Sequence, residues 1–225
     1  MKTFRSRINA MKQEQNKIKM AMRQVRIPLD EEYESFKQQL ENYFSINYKY
    51  DGIVGIDPGF NTSVCSINVD YITIVQISAP QRKPFFEKML YLHNSIEYAF
   101  QMIEFNRDTD IIYLEDVEVW GSIGAQGKSN IGKASLKSEV SSARGDLLKL
   151  ARVIGMYCEY CFENYYDVEL IPALHWKGQL SKKATERWIC DSLPALENSK
   201  EIKLTEHMWD SLGICLSKIY DWKHK

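Results

Sequence analysis

The chain has 225 residues, 44% of them hydrophobic and 12% aromatic, which suits one domain with an extension or two small domains and excludes a disordered chain. No apolar run nears the ~20 residues that cross a bilayer, and no charged-then-apolar signal opens the chain, so a reducing, cytoplasmic setting is expected. The net charge of −1 conceals a polarity: residues 1–26 hold eight Lys/Arg against one acid, Glu14, which puts +7 there and −8 on the rest.

Residues 1–50 are rich in Lys, Gln, Met and Glu, and read as a basic helical N-terminal extension broken at Pro28. Ile8, Met11, Ile18 and Met22 give it a thin apolar stripe. A basic, acid-poor start also fits a mitochondrial presequence, but the helix that follows directly favours an arm. The body, residues 51–225, opens with Ile53-Val54-Gly55-Ile56, a buried strand stopped by the turn Asp57-Pro58-Gly59. Val64–Val69 and Tyr71–Ser78 are rich in β-branched residues and continue it as an antiparallel meander. Lys88–Phe105 has helical periodicity, with Met89, Leu92, Ile96, Phe100 and Ile103 on one face. Asp110–Glu115 is a second buried strand ending in an acid. Residues 120–138 are rich in Gly, Ser and Lys and read as a mobile loop. Glu139–Tyr165 is a long helix, Val168–Ile171 a short strand, and Ser181–Leu193 and Thr205–Tyr220 are helices. The order is that of an α/β fold.

Five scattered cysteines (Cys65, Cys158, Cys161, Cys190 and Cys215) do not form a disulfide framework. Cys158 and Cys161 share a helix face and read as packing, since a zinc site would need two more ligands.

Three acids carry the chemistry. Asp57 and Glu115 end two strands, and if those strands are neighbours both carboxylates emerge at one edge. Asp210 lies in the last helix, with His207 three residues before it on the same face. Any one of them alone could be a cap or turn residue. Together they would repel unless a cation neutralised them, and oxygen ligands suit Mg²⁺ or Mn²⁺. Two such ions ~4 Å apart clamp a scissile phosphate, so phosphodiester hydrolysis is the reaction this set serves best.

Three segments in this order resemble the RuvC-like branch of the RNase H-like nucleases: Gly55-Ile56-Asp57-Pro58-Gly59, Tyr113-Leu114-Glu115-Asp116 and His207-Met208-Trp209-Asp210-Ser211-Leu212-Gly213. More narrowly, the chain is similar to bacteriophage RuvC-like Holliday junction resolvases. Ala143-Arg144-Gly145-Asp146-Leu147-Leu148 and the Trp176-Lys177-Gly178 segment support that likeness, which covers about residues 51–221. The resemblance implies an α/β fold with a mixed five-stranded sheet flanked by helices. It implies that Asp57 bridges two Mg²⁺ ions, that Glu115 and Asp210 complete the shell, and that His207 ligates metal or orients and deprotonates water. The implied activity is cleavage of branched DNA by a homodimer, since a four-way junction is close to two-fold symmetric.

Lys128, Lys133 and Lys137 in the loop, and Lys177, Lys182, Lys183 and Arg187 after the short strand, should lie near the carboxylate edge as phosphate contacts. Arg144 stands beside Gly145, where a backbone can approach closely. Trp120 either stacks on a splayed base or anchors the loop. Other readings differ in class. A related nuclease could act on flaps or on packaging or replication intermediates. A kinase or actin-like fold shares the first motif but needs a later Asp-x-Gly phosphate loop, which this chain lacks. A non-catalytic DNA-binding protein would have no use for an intact Asp57/Glu115/Asp210 set.

Overall fold

Six strands form one mixed sheet in the computed structural model, which describes residues 16, 18, 21–116, 145–178, 180–194, 196 and 202–220. In chain order these strands are β1 (Arg23–Pro28), β2 (Gly52–Asp57), β3 (Asn61–Ile67), β4 (Tyr71–Ser78), β5 (Asp110–Asp116) and β6 (Val168–Pro172). Their spatial order is β1-β4-β3-β2-β5-β6. The pairs β2–β3, β3–β4 and β1–β4 are antiparallel, whereas β2–β5 and β5–β6 are parallel. This is the helix-flanked mixed α/β sheet expected from the sequence, with a sixth strand added at one edge.

The added strand corrects the expectation of a purely helical extension and a five-stranded sheet. Gln24-Val25-Arg26-Ile27 alternates polar and apolar residues, a strand pattern too short to stand out in a Lys/Gln-rich context. The chain takes it up because β4 offers a free edge, and Ile27 becomes buried there. Pro28 ends the strand at the sheet's margin, where a missing N–H is tolerated. Two residues of the basic arm are thereby engaged. Arg26 pairs with Glu104 at 2.7 Å, and Arg23 donates to the Lys203 carbonyl.

Helices cover both faces. On one face lie α1 (Glu34–Ile46), α4 (Ala173–Trp176), α5 (Lys182–Ser192) and α6 (Glu206–Ile219). Phe36, Leu40, Trp176, Ile189, Met208 and Leu212 from these helices pack against Ile53, Cys65, Ile67 and Tyr113 of the sheet. On the other face lie α2 (Phe85–Met102) and α3 (Asp146–Glu163). Their Leu92, Ile96, Phe100, Val153 and Tyr157 pack against Val54, Ile56, Val64 and Leu114. The central strands are buried on both sides, which explains why they read as continuous apolar runs. Cys161 is buried in this second core, where its thiol is pushed up to about 12 by burial, and Cys158 packs beside it. No helix among the described residues is long and apolar enough to cross a membrane.

Candidate active site

The parallel pairing of β2 with β5 brings two acids to one sheet edge. Ile56 is the register partner of Leu114, so Asp57 and Glu115 follow side by side at the two strand ends. Side chains alternate along a strand, which puts Asp57 with Ile53 and Glu115 with Ile111 and Tyr113, all toward α6. The turn after Asp57 is held from beneath. Thr62 donates to the Gly59 carbonyl at 2.6 Å, and its hydroxyl meets the Tyr157 hydroxyl of α3 at 2.7 Å.

Helix α6 delivers the remaining groups. Thr205 caps its first turn, accepting from the Met208 N–H, and its hydroxyl donates to Gln76 Oε1 on β4 at 2.9 Å. Ser211 is tied to Ser63 of β3 at 2.9 Å. Gly55 lets the helix approach this closely, because a Cβ there would stand 2.4 Å from the Ser211 carbonyl oxygen. His207 and Asp210, one turn apart, therefore face the strand ends, each partly open to solvent.

The four residues singled out in the sequence converge. His207 Nδ1 and Asp57 Oδ2 share a hydrogen bond of 2.7 Å. Glu115 lies against Asp57, and both are almost entirely buried. Lys177, expected to contact DNA, instead reaches into the cluster. Its Nζ stands 3.4 Å from Asp210 Oδ2 and 3.9 Å from Glu115 Oε1. Its placement follows from α4: Trp176 is fully buried against α6, and a Cβ at Gly213 would fall 2.5 Å from that ring. Nothing in the spacing of Trp176-Lys177-Gly178 along the chain forecasts this, because the contact joins segments 33 residues apart.

Burial governs the electrostatics. Glu115 is pushed up to about 8, first by desolvation and then by the neighbouring Asp57 charge. Burial also raises Asp57, outweighing the His207 hydrogen bond that favours its anion. That same bond holds the His207 imidazole above its ordinary value. A cation brought to this site would offset the mutual repulsion of the acids once they ionise, in competition with the protons that burial favours.

The donor set fits Mg²⁺ or Mn²⁺ in chemistry: three carboxylates, the hard oxygen ligands such ions take, with one imidazole nitrogen beside them. The spacing does not yet meet one. Among the described residues, no group of three or more His, Cys, Asp and Glu side chains is gathered so as to hold a metal ion. The Lys177 ammonium supplies the counter-charge in this arrangement.

The other residues expected at the site divide. Lys182 pairs with Glu206 at the start of α6, and Lys183 and Arg187 are exposed on α5. Trp120, Lys128, Lys133, Lys137 and Arg144 lie outside the described residues. Asp116 points away from the cluster, toward Cys158 of α3.

No protein-family model matches the sequence, and no curated protein matches it. Among solved structures, the chain is similar to T. thermophilus RuvC in complex with a Holliday junction substrate, at 14% identity and a TM-score of 0.48, covering 76% of this chain and 95% of that one.

Proposed function

We propose that this chain is a divalent-metal-dependent endonuclease that cuts branched DNA. The observation that carries the reading is the convergence of Asp57, Glu115 and Asp210, from two parallel strand ends and one helix, with His207 bonded to Asp57 at 2.7 Å. Asp57, Glu115 and Asp210, with His207 beside them, would hold Mg²⁺ or Mn²⁺, two ions per site. The bound metal would supply positive charge for the scissile phosphate and acidify a water. The protein's own groups do the rest. Burial holds Asp57 and Glu115 largely out of water at the strand ends, and the Asp57–His207 bond through Nδ1 leaves the other His207 nitrogen for the incoming backbone. His207 is placed to orient or deprotonate the attacking water.

The choice of branched DNA, and of the phage-type resolvases within the family, rests on the ordered set of motifs quoted from the sequence. Symmetric cutting of a junction calls for a homodimer. The groove between α2 and α3, where Phe86 is 77% and Leu90 53% exposed, suits a second copy. Arg152 and Glu159 line it two helical turns apart, so a two-fold axis would pair each with its opposite. Sedimentation of wild type against Phe86→Asp tests this, with a monomeric wild type removing it.

The activity is tested with a labelled synthetic four-way junction, a flap, a linear duplex and an RNA–DNA hybrid, with Mg²⁺ or with EDTA. Metal-dependent nicking that prefers the junction is expected. Asp57→Asn should abolish nicking and retain binding. Equal cutting by that variant removes the assignment, and a preference for the flap moves it to the related substrate class.

A further inference from the structure

We propose that Lys177 is a displaceable internal counter-ion of the acidic cluster, standing between Glu115 and Asp210 where a divalent ion would bind, and so setting that ion's affinity. The inference rests on the metal-site reading above and adds a control on it.

The geometry has three parts. The ammonium is shared, standing 3.4 Å from Asp210 and 3.9 Å from Glu115. Both separations exceed the ~2.8 Å of a committed charged hydrogen bond. A cation held between two carboxylates at such distances acts through its charge. Asp57 makes its close contact with His207 and feels the ammonium only at longer range. The lysine's base is fixed while its head is free to move. Trp176 is locked under α6, whereas the Lys177 side chain keeps 28% of its surface in solvent and lies 4.7 Å over the Trp176 ring. The four-carbon stem lets the ammonium leave for water without shifting the backbone. Finally, the charge is incomplete. One ammonium and one imidazole face three carboxylates, so an anionic excess persists whenever the acids are ionised. A divalent ion supplies twice the charge of the ammonium at the same place, and it displaces Lys177 instead of joining it because like charges repel at contact distance.

The test measures metal binding without DNA. Full-length wild type, Lys177→Met and Lys177→Arg are titrated with Mn²⁺ by calorimetry near pH 8, and their thermal midpoints are taken in EDTA and in Mn²⁺. Methionine keeps the four-atom stem and its packing on Trp176 but not the charged head. Lys177→Met should bind Mn²⁺ about tenfold or more tightly than wild type, since its site no longer holds a competing cation. It should also melt lower in EDTA and be raised further by Mn²⁺. Lys177→Arg should stay close to wild type in both. Circular dichroism checks that each variant is folded, and Lys177→Gln repeats the measurement if methionine disturbs the fold. Equal or weaker Mn²⁺ binding by a folded, charge-free variant overturns the counter-ion role and leaves the nuclease reading standing. Failure of wild type and both neutral variants to bind Mn²⁺ overturns the two together.

Discussion

The metal-free protein should lose stability as pH rises, and Glu115 should be the main cause. Its carboxyl titrates at about 8 in the folded chain against an ordinary 4.5. Between those values the folded state holds a proton that the unfolded state has released. Stability therefore falls as pH climbs through that window and levels off above it. Ionising this carboxylate in the fold costs on the order of 5 kcal/mol by its displacement alone, and solvent reaching the open edge should trim that to about 3 kcal/mol. Asp57, raised by burial, acts in the same direction. So does His207: its raised value contributes stability that is complete below its ordinary 6.5 and is lost as pH passes its folded value. For a chain of this size, about 3 kcal/mol corresponds to roughly 6–12 °C in the midpoint. The assay is thermal unfolding in EDTA at a series of pH values from about 4 to about 9. Glu115→Gln should match wild type at the acid end and exceed it at the alkaline end. Added Mg²⁺ should restore wild type at alkaline pH and leave Glu115→Gln almost unmoved. A wild-type midpoint that is flat or rises with pH in EDTA would refute the account of the buried acids.

Gly55→Ala should destabilise the fold by about 1–3 kcal/mol in urea unfolding and weaken Mn²⁺ binding together, because a methyl group 2.4 Å from the Ser211 carbonyl must push α6 away from β2. His207→Ala should lower junction cleavage by about 10²–10⁴-fold, with a smaller change in DNA affinity measured by gel shift. Ile27→Ala, which hollows the packing of β1, should cost about 2–5 kcal/mol of stability by the same unfolding assay. A chain begun at residue 29 should aggregate on size exclusion, since the β4 edge is then bare.

Much of the fold was legible in the sequence because the central strands and helices announce themselves by period. Tyr71–Ser78 and Asp110–Glu115 are short, β-branched and bounded by turn residues, and they fold as strands at those places. Helix α3 ends at Glu163, close to its expected limit, and α2 begins three residues earlier than its apolar face suggested. The strand β1 escaped notice because four alternating residues carry little signal until a partner edge exists. The identities of Asp57, Glu115, His207 and Asp210 as a set were likewise readable, from acids ending strands and from the i, i+3 spacing on the last helix.

What the linear chain could not contain is distance between segments. Only the parallel register of β2 on β5 makes Asp57 and Glu115 neighbours, and only the close seat that Gly55 gives α6 brings His207 to 2.7 Å from Asp57. The same holds for Lys177, which by sequence is one more basic residue after a strand and in the fold is the cation between two acids. Residue type and local period follow from neighbours along the chain, so sequence determines them. Charge sign at a site depends on Coulomb terms and burial that exist only after packing, so the tertiary structure decides which carboxylates resist ionisation and what holds them together.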